Sequence, residues 1–173
     1  MTNDTSAAPL EIERKFLIRM PDAETLRRNA VERIEIMQIY LVLTDGADSR
    51  RIRRSRTAEA ERFYYTEKVR LTDMTRIERE REITAAEWDE LSAQADPRRR
   101  PVEKTRWCVP WGGHTLEIDV FPFWDDRAFC EIELAAEDET AALPDWIRVV
   151  REVTADRRYT NYSLALHIPE ESI

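Results

Sequence analysis

Along most of this chain apolar and polar residues alternate singly rather than in threes and fours, so residues of one character collect on one face of an extended strand. Such runs lie near residues 10–19, 34–44, 49–56, 61–70, 76–84, 101–109, 114–121 and 128–136, a rhythm that predicts an antiparallel sheet or barrel. Helical spacing is rarer. Thr84-Ala85-Ala86-Glu87 forms a capping box ahead of an apolar stripe of Trp88, Leu91 and Ala95. Pro21-Asp22 opens a short helix carrying Leu26, and Thr154 or Asp156 opens a last one in which Tyr159, Tyr162 and Leu166 share a face. Strands outnumber helices, so the expected class is α+β with a dominant sheet. Residues 10–168 form a single domain in this reading, with 1–9 a loose tail and 169–173 a short C-terminal one.

For any one strand a polar face reads as a solvated face, but the charges taken across all the strands point elsewhere. Glu11, Glu13 and Lys15 share one face of the first strand, and two carboxylates about 7 Å apart on it repel unless something positive lies between. Charged pairs two residues apart recur in later strands: Arg51 and Arg53, Glu78 and Glu80, Lys104 and Arg106, Glu131 and Glu133, with Lys68 and Asp119 on matching faces. Their signs are segregated, acidic in strands one, five and eight and basic in three, four and six. Blocks of one sign complement each other if the sheet curls until these faces converge, with the outer apolar face covered by the helices. Buried charge is too expensive to persist without partners, so such an interior holds water, ions or a charged ligand.

Composition narrows the class of ligand. The chain has 173 residues and a net charge of -8, which argues against a general nucleic-acid or acidic-membrane binder. With no long apolar run and no signal peptide, the expectation is a cytoplasmic protein. Two cysteines, placed by strand parity on opposite faces, predict no disulfide. Three glycines and no P-loop or dinucleotide fingerprint exclude a Walker-type nucleotidase. His114 and His167 read as surface or capping residues, the five tryptophans as packing residues, and Arg98-Arg99-Arg100 as a solvated loop.

Carboxylates without His or Cys partners suit hard cations such as Mg²⁺ or Mn²⁺, and clustered Arg and Lys suit phosphate oxygens. A site offering both fits a metal-bound polyphosphate. At this point the ordered motifs become informative: E11-I12-E13-R14-K15, Q38-I39-Y40-L41, R51-I52-R53, T66-E67-K68, R76-I77-E78-R79-E80, V102-E103-K104-T105-R106, L116-E117-I118-D119-V120-F121, E131-I132-E133 and E152-V153-T154-A155-D156-R157-R158-Y159-T160-N161. Their order resembles the CYTH-domain proteins, the triphosphate tunnel metalloenzymes, over about residues 10–166.

The resemblance implies an eight-stranded antiparallel β-barrel with flanking helices and an open tunnel, and a divalent-metal-dependent triphosphatase acting on inorganic triphosphate and on organic triphosphates as further candidates. Carried over by position, Glu11, Glu13, Glu131 and Glu133 are the metal-side carboxylates, with Glu78, Glu80 and Asp119 as further acidic wall. Lys15, Arg51, Arg53, Lys68, Lys104, Arg106 and Arg157 are the phosphate cradle. Lys15 and Tyr40 are the candidate catalytic groups, Tyr40 on the condition that its hydroxyl meets the Lys15 ammonium. The expected partner is a small-molecule triphosphate, with no nucleic acid and no membrane, bound by a monomer or homodimer. A class IV-type adenylyl cyclase and a non-catalytic polyphosphate-binding module are the alternatives. Two departures from the family pattern stand out: a long charged hairpin from Arg54 to Glu61, and no glycine at the Phe121–Asp126 turn.

Overall fold

A computed structural model describes residues 12–44, 47–70, 76–136, 138–140 and 142–173. The strands are β1 Ile12–Arg19, β2 Glu32–Tyr40, β3 Ser49–Arg56, β4 Glu61–Arg70, β5 Arg76–Ile83, β6 Val102–Trp111, β7 His114–Val120, β8 Arg127–Leu134 and β9 Val149–Glu152. Three helices accompany them, α1 Ala23–Asn29, α2 Ala85–Ser92 and α3 Asn161–Leu164, with a 3-10 turn at Arg157–Tyr159. All strands pair antiparallel in one sheet of order β5-β4-β3-β2-β6-β7-β8-β1-β9.

The α+β reading with a dominant antiparallel sheet therefore holds, and two features refine the expected eight-stranded tunnel barrel. A ninth strand, β9, adds to the far edge of β1; at four residues it is too short for alternation to reveal it. Among the described residues β5 and β9 each pair on one side alone, so hydrogen bonds do not close the sheet into a ring.

Each helix covers apolar sheet surface. Asp22 caps α1 by accepting from the Thr25 amide, and Leu26 then packs with Ile18, Val109, Ile118 and Cys130 on the outer face of the sheet. Thr84 and Glu87 form the predicted capping box of α2, which sets Trp88 against Ile52, Ile83 and Phe63. Ala95 lies beyond that helix and instead bridges to Leu41. The last helix is not continuous: Asp156 caps the 3-10 turn, and Thr160 breaks out of it to cap α3 afresh. The break turns Tyr159, Leu164 and Ala165 inward and leaves Leu166 54% exposed, so the expected shared face does not form.

The segment 169–173, expected as a tail, is docked. Glu171 accepts hydrogen bonds from the Tyr159 hydroxyl and from Arg151 Nη2, and Ile173 packs on the aromatic cluster around Tyr159. The N-terminal tail and Glu11 lie outside the described residues. The long charged hairpin reduces to a tight turn over Thr57–Ala60, closed by Thr57 N–H donating to Ala60 O at 2.9 Å, because Arg54, Arg56 and Glu61 belong to the strands and pair across them. Both cysteines are free and buried, as their opposite parity requires.

Candidate active site

Strand parity and register together assemble the charged faces. Glu13 lies opposite Glu133 and Lys15 opposite Glu131 across β1 and β8; Glu131 lies opposite Glu117 on β7, and Asp119 opposite Arg106 on β6. On the other wing Gln38 lies opposite Arg53, Tyr40 opposite Arg51, Arg51 opposite Thr66, and Lys68 opposite Glu78. Further along, the same face turns apolar on every central strand, with Leu17, Tyr40, Val102, Phe121 and Phe129 following the charges. Tyr159 and Leu164 pack on those side chains, so the charged trough ends against an aromatic floor.

The β1-β8-β7-β6 wall is a compensated network. Arg106 donates to Asp119 Oδ1 at 2.7 Å, to Asp119 Oδ2 at 2.8 Å and to Glu131 Oε2 at 2.8 Å, and also pairs with Glu117. Lys104 pairs with Asp119, both buried, and Lys15 Nζ lies 2.7 Å from Glu131 and 4.1 Å above the Phe129 ring. Burial works against charge on Glu131, yet Lys15, Lys104 and Arg106 hold its carboxyl well below the usual range. Burial also depresses the Lys104 ammonium, with Asp119 opposing that shift.

Two acids of this wall are not satisfied by it. Glu13 and Glu133 make no ion pair among the described residues although they face each other on neighbouring strands. Glu13 keeps solvent contact at the trough's mouth, but its walled position and the Glu131 charge raise its pKa to about 7. A carboxyl in that state gains from a cation, which restores its charged form.

The β3-β4-β5 wing carries the opposite imbalance. Arg53 Nη2 reaches Glu80 at 3.1 Å, Lys68 Nζ reaches Glu78 at 2.7 Å, and Thr66 Oγ1 donates to Glu80 at 2.9 Å. Arg51 comes only within 3.9 Å of Glu78. The Nε groups of both arginines are buried without a partner, as is the Gln38 amide oxygen between the two wings. Burial makes charge on Arg53 less favourable, and Arg51 and Arg106 add repulsion.

Of the expected residues, Glu13, Lys15, Arg51, Arg53, Lys68, Glu78, Glu80, Lys104, Arg106, Asp119, Glu131 and Glu133 all lie on this one face. Glu11 lies outside the described residues. Arg157 stands apart on the 3-10 turn, exposed, with no ion pair among the described residues. Tyr40 is buried opposite Arg51, not Lys15; burial raises its pKa while the neighbouring Arg51 charge opposes the rise. Two polar wall residues escaped the sequence reading. Glu117 has the parity of Asp119 and was legible by that signal; Gln38 carries no charge to mark it.

Residues 9–160 match the CYTH domain. This chain belongs to the CYTH domain family. An inorganic triphosphatase of Nitrosomonas europaea is 33% identical to this CYTH domain over 165 residues, 92% of the present chain and 99% of the relative. One of Acetivibrio thermocellus is 33% identical over 156 residues, 89% and 92% of the two chains. A crystal structure of an inorganic triphosphatase superposes with a TM-score of 0.57 at 30% identity, over 93% of this chain and 97% of the other. A Pyrococcus horikoshii protein, 22% identical with a TM-score of 0.54 over 74% of this chain, shares the fold.

The donor set of this CYTH domain suits a hard cation bound in one particular way. No three acidic, His or Cys side chains among the described residues are grouped to enclose a metal ion. Glu13 and Glu133 supply two carboxylates without an ion pair among the described residues, donors of the kind a hard divalent cation takes alongside other oxygen ligands.

Proposed function

We propose that the protein hydrolyses inorganic triphosphate to pyrophosphate and orthophosphate with Mg²⁺ or Mn²⁺ as cofactor. The observation that carries this reading is the pair of buried, unpartnered Nε–H groups on Arg51 and Arg53, facing a trough that also holds two unpaired carboxylates. A buried donor left unmet costs about 1–3 kcal/mol, and phosphoryl oxygens are the acceptors a guanidinium fork matches. The two curated relatives, both inorganic triphosphatases, support the same substrate.

In this reading Arg51, Arg53 and Lys68 grip the triphosphate from one wing and Lys15, Lys104 and Arg106 from the other. An anion between Arg53 and Arg106 relieves their repulsion. Glu13 and Glu133, with Glu11 as a further ligand and Glu131 behind them, would hold the cation, which would supply neutralisation of charge on the triphosphate oxygens. Water attacks the terminal phosphorus in line; the new P–O bond forms as the bridging bond breaks, and its electron pair leaves on pyrophosphate. One water hydrogen stays on orthophosphate and the other is released as a proton. Lys15 and Arg106 stabilise the leaving oxygen, so positioning and electrostatics carry the rate and no strong general acid is needed. Glu78, Glu80 and Asp119 orient the cations, Tyr40 orients Arg51, and Arg157 draws the anion from outside.

The test is product analysis with tripolyphosphate, ATP and thiamine triphosphate in Mg²⁺ or Mn²⁺. Orthophosphate plus pyrophosphate from tripolyphosphate, abolished by chelator, is the expected result. Cyclic AMP from ATP, or tight triphosphate binding with no product, would overturn it.

A further inference from the structure

Arg99 belongs to none of the motifs above, yet of the three consecutive arginines it alone is drawn inside. Arg98 lies on the surface with its side chain 76% exposed, whereas that of Arg99 is 12% exposed. Its guanidinium carbon sits 3.4 Å from the centroid of the Tyr162 ring, a face-on contact, and Nη1 donates to Tyr162 O at 2.6 Å. Its Nε is buried and unpartnered, with the nearest Asp96 oxygen 3.7 Å away.

Tyr162 in turn meets Tyr40 edge to face, ring centroids 5.1 Å apart at 80°. Tyr40 faces Arg51 directly across β2 and β3, so their side chains lie side by side on the same face of the sheet. The backbone fastens the same parts together: Asp96 N–H donates to Tyr40 O at 2.9 Å, and Arg100 N–H donates to Ala165 O at 2.8 Å. Four side chains from four segments thus form one contiguous stack, Arg99, Tyr162, Tyr40 and Arg51.

The stack matters because Arg51 has no other firm anchor. Arg106 is gripped by three carboxylates, whereas Arg51 has one carboxylate at 3.9 Å and a free Nε. A guanidinium binds phosphate well only when its fork is aimed in advance.

We propose that Arg99 is a positioning residue for triphosphate binding, acting through Tyr162 and Tyr40 to aim the Arg51 guanidinium. The proposal rests on the reading that Arg51 contacts phosphate. Its chemistry requires a planar cation: a lysine carries the charge but cannot lie flat on the ring while donating along the same edge.

The test is a double-mutant cycle of Arg99→Ala with Arg51→Ala, read by the Kd of imidotriphosphate, a non-hydrolysable probe, in Mg²⁺ by calorimetry, and by KM and kcat for tripolyphosphate. Arg99→Ala is expected to raise Kd and KM about tenfold and leave kcat within about threefold; Arg99→Lys recovers little of the loss. In the Arg51→Ala background the same substitution costs less than about twofold, because the residue it aims is gone. An equal penalty in both backgrounds, or a fall in Tm with Kd unchanged, overturns the proposal. Should the alanine variant not fold, Arg99→Gln takes its place in the cycle. If imidotriphosphate behaves as expected but tripolyphosphate is not hydrolysed, the enzymatic reading fails and this one stands.

Discussion

Replacing Asp119 by Asn removes the carboxylate that Lys104 and Arg106 share. Asp119 is fully buried and accepts from Arg106 at 2.7 and 2.8 Å as well as from Lys104. Breaking a buried ion pair from one side strands its partner and costs about 3–5 kcal/mol. Arg106 keeps Glu117 and Glu131, so the penalty falls chiefly on Lys104. Against a total stability of about 5–15 kcal/mol the loss is large, and at about 2–4 °C per kcal/mol for a chain of this size it lowers Tm by roughly 6–20 °C. Urea denaturation followed by tryptophan fluorescence measures it, with an unchanged m-value marking a native-state effect.

The pH dependence gives that prediction a sign. Burial already depresses the folded pKa of Lys104 below its ordinary value of 10.5, and Asp119 is the main group opposing the shift. Without Asp119 the folded pKa drops further. Between that lowered value and the ordinary one the unfolded chain holds a proton that the folded protein lacks, so stability rises with pH across that window. The deficit of Asp119→Asn therefore shrinks as pH is raised from about 7 toward 10, as Lys104 sheds its stranded charge. Tripolyphosphate without metal recovers part of the deficit at pH 7, because the anion partners the exposed cations. A variant within about 1 kcal/mol of the parent, with a difference flat in pH, would refute the view that Asp119 compensates buried charge.

Three further outcomes follow from named contacts. Glu13→Gln combined with Glu133→Gln weakens Mg²⁺ activation of tripolyphosphate hydrolysis by at least tenfold with circular dichroism unchanged, since these are the unpaired carboxylates; full activity at the parent's Mg²⁺ requirement would remove them from the cation site. Thr84→Ala destabilises by about 1 kcal/mol, read in urea, by deleting the hydroxyl that accepts from the Glu87 amide at 3.1 Å; no change would mean the capping box is idle. Asp156, held down to about 2 foremost by its hydrogen bonds from Arg158, adds stability that is present above about pH 4 and lost as pH falls toward 2; Asp156→Asn flattens that acid limb, and an identical limb in acid titration would exclude it.

What the sequence determined by itself is which side chains share a face. Alternation is a property of the extended backbone at each residue, so Glu13 with Lys15, Arg51 with Arg53, Lys104 with Arg106 and Glu131 with Glu133 could be placed together before any strand was paired. Capping likewise depends on neighbours a few residues apart, which is why Thr84 and Asp22 marked their helices. Register, in contrast, is a relation between distant segments, and it decided which charges meet. It gave Arg106 three carboxylates and Arg51 almost none, left Glu13 facing Glu133, and turned Tyr40 toward Arg51 rather than Lys15. Arg98, Arg99 and Arg100 are alike in sequence; only the packing of α3 against the loop draws Arg99 alone onto a tyrosine face, because a guanidinium leaves water when a ring and a carbonyl replace its solvent shell.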